Sequence, residues 1–134
     1  MGFHTYKPKA PPPLPPRNIA HVTVSMTEIR LAKFSVGDVV RHRLFPFRGL
    51  IFDIDPVFAN TEEWWLAIPA EIRPRKDQPF YHIYAENTET VYVAYVSEQN
   101  LLPDETGEPL RHPDIADFFV KDKEGRYRLR EKTQ

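Results

Sequence analysis

Proline occupies fourteen positions in this 134-residue chain, and its placement limits the fold more than any other feature. A proline inside a helix removes a backbone donor and clashes with the preceding turn. Long unbroken helices are therefore excluded over much of the chain, and extended segments joined by turns are favoured. Six of the fourteen lie in residues 1–33. The run Pro11-Pro12-Pro13-Leu14-Pro15-Pro16 suits polyproline II and neither a helix nor a central strand. Residues 1–33 are thus expected to be a proline-rich disordered extension. Pro12, Pro15 and Arg17 match a P-x-x-P-x-R recognition pattern, though a stiff solvated tail is the simpler reading. Met26, followed by Thr27-Glu28-Ile29-Arg30, is an expected alternative translation start, which would leave residues 1–25 untranslated. Intact-mass measurement of the native protein tests this, because a mass including Met1 or Gly2 excludes it.

Between the remaining prolines lie short runs with strand character. Val39-Val40-Arg41-His42 follows a turn at Gly37-Asp38, and its β-branched pair suits a strand. Gly49 to Asp55 forms a second run. Strict alternation would put Leu50, Phe52 and Ile54 on one face and Ile51, Asp53 and Asp55 on the other. Asp55-Pro56 ends it. Asn60 is placed to cap a short helix over Glu62–Ile68, with Glu63 completing a capping box. A second short helix over Ala70–Arg73 would follow Pro69. Phe80–Glu86 and Val91–Val96 read as a hairpin closed at Asn87–Thr90, and Ser97–Leu102 as a short edge. A last amphipathic helix is expected over Pro113–Val120, and the charged end Arg126–Gln134 is expected to fray.

These elements predict a mainly β protein: a small antiparallel Src-homology-like barrel or bent sheet, with a short helical insert and flexible termini. The organisation expected is an extension over 1–33, one domain over 34–120, and a charged flexible tail over 121–134. The chain suffices for one modest core. No run approaches the length of a membrane span, and the first 25 residues lack the apolar stretch of a signal peptide. The absence of cysteine removes disulfides and thiolate chemistry, and the cytoplasm is the expected compartment.

Charge is unevenly spread. The net charge is −1 overall, with +4 over residues 1–33, −4 over 34–100 and −1 over 101–134. The acidic centre weighs against tight non-specific binding to nucleic acid. The basic residues that could touch phosphate form two groups, Arg41, Arg43 and Arg48 at the first corner and Arg73, Arg75 and Lys76 after the helices. Ordinary solubilising charge explains them equally well.

Chemistry has little footing in the sequence. Asp53 and Asp55 share strand parity, a spacing compatible with acid–base work or a hard cation, yet no nucleophile or base is tied to them. His42 and His82 fall on strands without metal-ligand spacing, and hydrogen-bonded core histidines are the expectation. Gly37 and Gly49 belong to no phosphate loop. Neither a catalytic residue, a metal nor a cofactor is expected, and the protein is read as a non-enzyme. An enzyme is the third reading, resting on Asp53, Asp55 and His82, which a pocket uniting all three would support and dispersed side chains would end.

Four blocks, taken in order, resemble a known family. They are Phe34-Ser35-Val36-Gly37-Asp38-Val39-Val40-Arg41-His42, Gly49 to Pro56, Phe80-Tyr81-His82, and Tyr95-Val96-Ser97-Glu98-Gln99-Asn100-Leu101. Together they are similar to the HspQ heat-shock family, also called YccV-like or hemimethylated DNA-binding domains, over about 34–119. The resemblance implies a small Src-homology-like barrel in a heat-induced cytoplasmic protein. It implies an accessory role for the ATP-dependent Lon protease in degrading denatured or regulatory clients such as the replication initiator DnaA. Binding of hemimethylated DNA is the second role it implies. Candidate partner contacts are Trp64 and Trp65 in the insert, where one ring would pack on the barrel and the other serve as an anchor, and Arg126, Arg128 and Arg130 near the end. The sequence is also compatible with a homo-oligomer formed through an exposed strand edge.

Overall fold

The computed structural model describes residues 32–131. The polyproline segment, the Met26 start and the last three residues lie outside the described residues. Within them, β1 (Val39–His42), β2 (Arg48–Asp55), β3 (Phe80–Glu86), β4 (Val91–Ser97) and β5 (Leu101–Pro103) form one antiparallel sheet in the order β4-β3-β2-β1-β5. The sheet is bent, and its ladders do not close into a barrel. β1–β2 and β3–β4 pair across short turns, whereas β5, only three residues after β4, crosses to the far edge and pairs with β1. Asn87 makes one such turn, its Oδ1 accepting from the backbone N–H groups of Glu89 and Thr90 at 2.8 Å each.

Both faces of the sheet are covered, which explains why every residue of β3 is buried. One face carries Val40, Phe47, Ile51, Tyr81, Ile83, Ala85, Ala94, Val96 and Leu101. The other carries Leu50 and Tyr84 beneath Ile115 and Phe119. Each large apolar side chain so buried contributes about 1.5–3 kcal/mol. Gly49 lies where β2 and β3 approach closest. A Cβ there would stand 2.2 Å from the Tyr84 carbonyl oxygen and 2.8 Å from Ala85 Cα.

The expected alternation along β2 fails at a bulge. The β2–β3 register shifts between Ile51 and Asp53, so Ile51 pairs with Ile83 while Asp53 pairs with His82. An inserted residue reverses strand parity beyond it. Ile51 and Ile54 accordingly pack on one cluster, and Leu50 and Phe52 on the other. The two aspartates no longer share a face with Ile51.

Helix α1 (Glu62–Leu66) is capped by Thr61, whose Oγ1 accepts from the Trp64 N–H at 3.0 Å. Asn60 instead hydrogen-bonds the Thr61 N–H, so the cap falls one residue later than expected. The second helix is a single 3-10 turn, Ala70–Ile72. Helix α2 (Pro113–Phe118) stops short of Val120 because the chain turns extended at Phe119.

Where the sequence suggested a frayed end, β6 (Phe119–Lys121) and β7 (Tyr127–Leu129) form a hairpin. Its turn is built by Asp122, whose Oδ1 accepts from the N–H groups of Glu124 and Arg126, and by Gly125 at φ 85°. Tyr127 packs on the Leu50 cluster, which ties the hairpin to the sheet.

Candidate binding surfaces

The six arginines and lysines proposed for phosphate contact meet different fates. Arg48 is a strut. Its Nη2 donates to Asp104 Oδ2 at 2.9 Å and to the Glu108 carbonyl at 2.9 Å, and its Nη1 donates to Glu86 Oε2 at 3.3 Å. This guanidinium starts from strand β2 and holds the 104–111 loop over the sheet. Burial opposes ionisation of Asp104, but hydrogen bonds from Arg48 and Thr106 outweigh it and hold the carboxyl below its ordinary value. Arg73 turns inward as well. It donates to the Leu66 and Ile68 carbonyls at the end of α1 and lies 5.0 Å from the Trp65 ring. Lys76 pairs with Glu62 and sits 4.4 Å from the same ring.

Arg41, Arg43 and Arg75 are the exposed three. Arg43 donates through Nε to the Gln99 carbonyl, and Arg75 pairs with Asp77 in open solvent. The Gln78 Nε2 amide joins Gln99 Oε1 to the Arg75 carbonyl. Arg43 and the Arg75 backbone are thus linked through Gln99 and Gln78. The described residues hold thirteen Lys and Arg against eighteen Asp and Glu, a net of −5.

A cavity of about 750 Å³ is an open groove at this end of the sheet. Phe45, Phe47 and Pro109 line it with Arg41, Arg48 and Arg111. His42 forms part of its wall. The imidazole Nδ1 accepts from the Leu44 and Phe45 N–H groups at 3.0 Å each. Burial, reinforced by Arg43, lowers its pKa from 6.5 to about 4. His42 is therefore a neutral, hydrogen-bonded core histidine, as its sequence context suggested.

Both tryptophans of α1 are half-buried. Trp64 meets Tyr95 edge-on with centroids 5.4 Å apart. Trp65 donates from Nε1 to the Pro74 carbonyl at 2.9 Å, with Arg73 and Lys76 against its ring. The insert thus uses both rings to seat itself. The more exposed apolar side chains nearby are Leu66 and Val57.

The C-terminal hairpin exposes more. Phe118 is 53% and Leu129 59% accessible, and Val120 is also exposed. Arg126 and Arg128 rise from the same hairpin and Arg130 from its end, with Arg128 pairing to Asp122 at 2.8 Å and Arg130 donating to the Ala116 carbonyl at 2.8 Å. The arginines expected on a loose tail therefore stand on and after an ordered hairpin, where Arg128 pairs across from Val120 while Leu129 pairs across from Phe119 on the other face.

Asp53, Asp55 and His82, the trio on which the sequence reading rested its enzyme alternative, come together. Cross-strand pairing sets Asp53 opposite His82. His82 Nε2 lies 3.0 Å from Asp55 Oδ2, and the Tyr95 hydroxyl donates to that same oxygen at 2.8 Å. Burial, with Asp55 alongside, pushes the Tyr95 phenol far above its ordinary pKa. Tyr95 also accepts from the Ala59 N–H at 2.9 Å, linking the insert to the cluster. The bulge at Phe52 carried no glycine or proline to betray it, so only the Asp-x-Asp spacing pointed here.

No helix among the described residues is long and apolar enough to cross a membrane. A family model described as hemimethylated DNA-binding protein YccV like matches residues 32–126. The match takes in the whole five-stranded sheet, the insert, α2 and β6, and ends within the turn before β7.

Proposed function

Because the chain belongs to the YccV-like family, we propose that it is a binding protein without chemistry of its own, accessory to the ATP-dependent Lon protease. In this reading it promotes degradation of denatured or regulatory clients, the replication initiator DnaA among them, as a heat-induced cytoplasmic protein. The observation that supports a protein partner is the C-terminal hairpin. Val120 and Leu129 on its strands are exposed, with Phe118 at the end of α2 beside it, and Arg126, Arg128 and Arg130 are exposed along the same segment. Exposed apolar side chains interleaved with arginine are the usual substance of a protein contact. The charge balance supports the same preference, because most candidate phosphate ligands are already engaged within the fold.

The test is a degradation assay with purified Lon, ATP and a model client. Adding this protein should raise the client's turnover, and the pair Arg128→Glu with Leu129→Ser should abolish the gain. Unchanged turnover on adding the wild-type chain overturns the proposal.

A second reading follows from the family's description. Arg41, Arg43 and Arg75 are exposed and would meet the backbone of a hemimethylated duplex. Three phosphate contacts would give a salt dependence of log K against log salt near a slope of about −3. Anisotropy titrations with hemimethylated and unmethylated duplexes at two salt concentrations test this. Equal affinity for the two, or no binding at low salt, removes it.

A further inference from the structure

The geometry points to a divalent-metal site formed by Asp53, Asp55 and His82, selective for a borderline transition ion such as Zn²⁺ or Co²⁺. One ligand atom from each residue lies within 4.8 Å of those of the other two. Metal–ligand bonds of about 2.0–2.2 Å would draw such a set around one ion with small side-chain adjustments. An imidazole beside two carboxylates favours these ions over Mg²⁺ or Ca²⁺, which take all-oxygen shells.

A hydrogen-bonded structural cluster is the competing explanation. His82, Asp55 and the Tyr95 hydroxyl already make a connected set, and that set has no need of Asp53. The bulge is what adds the third group. It gives up ladder regularity between Ile51 and Asp53 and sets the Asp53 carboxylate directly across from His82. Bulges commonly re-aim a side chain beside a functional site. The result is a second carboxylate, already accepting from the Ile54 N–H at 2.8 Å, within ligand reach of the buried pair.

The surroundings suit an ion. Asp55 and His82 are buried, and Asp53 is half-buried and gives access from outside. For Nε2 to bind a metal, the neutral imidazole carries its proton on Nδ1, and the Nε2–Asp55 hydrogen bond gives way to the two metal bonds. Tyr95 continues to donate to Asp55 and so orients that ligand from the second shell. Tyr95 also touches Phe58 and Trp64. An ion in this place would therefore fasten the helical insert to the sheet.

Titration of the full chain with CoCl₂ and with ZnCl₂ tests the site. Co²⁺ should bind in one saturable 1:1 step, with visible d–d absorption and quenching of tryptophan fluorescence through Trp64. Asp53→Asn preserves size and should weaken binding at least about tenfold. Because Asp53→Asn could perturb the fold, ¹⁵N spectra of the wild-type histidines supply a second readout. Zn²⁺ should shift the Nε2 resonance of His82. Absence of saturable binding, equal affinity in Asp53→Asn, or shifts confined to other histidines would each overturn the proposal.

Discussion

Arg48 and Asp104 meet at 2.9 Å although 56 residues of chain separate them. The pair fastens the loop after β5 to the start of β2, and Glu86 completes the arrangement from β3. The guanidinium is only 18% exposed and the Asp104 carboxylate 3%, so removing one partner strands the others. Arg48→Ala should destabilise the protein by about 3–5 kcal/mol. Urea unfolding monitored by tryptophan fluorescence measures it. Arg41→Ala, on an exposed neighbour, should change stability by less than about 0.5 kcal/mol. If the two variants unfold alike, the strut is wrongly assigned.

The same contact shows why charge patterns were hard to read. Arg41, Arg43 and Arg48 look equivalent in the sequence, yet one is held by two carboxylates and two stand in solvent. Nothing local distinguishes them, because Glu86 and Asp104 come from distant elements. The aromatic hairpin β3–β4 was legible nearly residue for residue, since its alternation and polar turn are local signals. The β2 bulge was not, because an inserted Phe52 leaves composition unchanged while reversing parity downstream. The β6–β7 hairpin had a usable signal in Asp122 and Gly125, but its many charges read as tail. The aspartate–histidine cluster depends on that bulge and on cross-strand register, neither of which periodicity reports.

His42 makes stability depend on pH. Its folded pKa of about 4 lies below the ordinary imidazole value of 6.5, so between these values the unfolded chain binds the proton and the folded chain does not. Stability is therefore full above about 6.5 and falls as pH drops toward 4, by about 3 kcal/mol in total. His112, also lowered by burial against opposing carboxylates, adds to the loss in the same direction. Urea melts across this range should show the decline. His42→Asn should flatten it, because the amide oxygen can accept from Leu44 and Phe45 without titrating. An unchanged slope in that variant would assign the effect elsewhere.

Gly49→Ala tests the close approach of β2 and β3. The new methyl would meet the Tyr84 carbonyl oxygen at 2.2 Å and Ile83 Cγ2 at 2.6 Å. Backbone on the far side cannot swing away as a flexible side chain would. The cost should be about 3 kcal/mol or more, with loss of the β signal in circular dichroism at a lower temperature than in the wild type. A melting point within a degree of wild type would show that the strands separate easily, and the packing argument for this face would fail.

Tyr127 and Leu129 lie two residues apart on β7 and should separate folding from function. Tyr127 packs on the Leu50, Tyr84, Ile115 and Phe119 cluster, and Lys121 sits 5.5 Å from its ring. Tyr127→Ala should cost about 2 kcal/mol, since it removes half-buried ring surface and leaves the cluster open. Leu129 is 59% exposed, and Leu129→Ser should leave the melting temperature unchanged. If the hairpin is the protein-binding surface, that variant should still lose stimulation of client degradation. This contrast is stronger than deleting the end of the chain. A deletion beginning at Arg126 would also remove Tyr127, and lost activity would then report a loosened fold. Full stimulation by a well-folded Leu129→Ser variant would move the partner surface away from β7 and leave the insert, with Val57 and Leu66 exposed beside its seated tryptophans, as the apolar surface to test next.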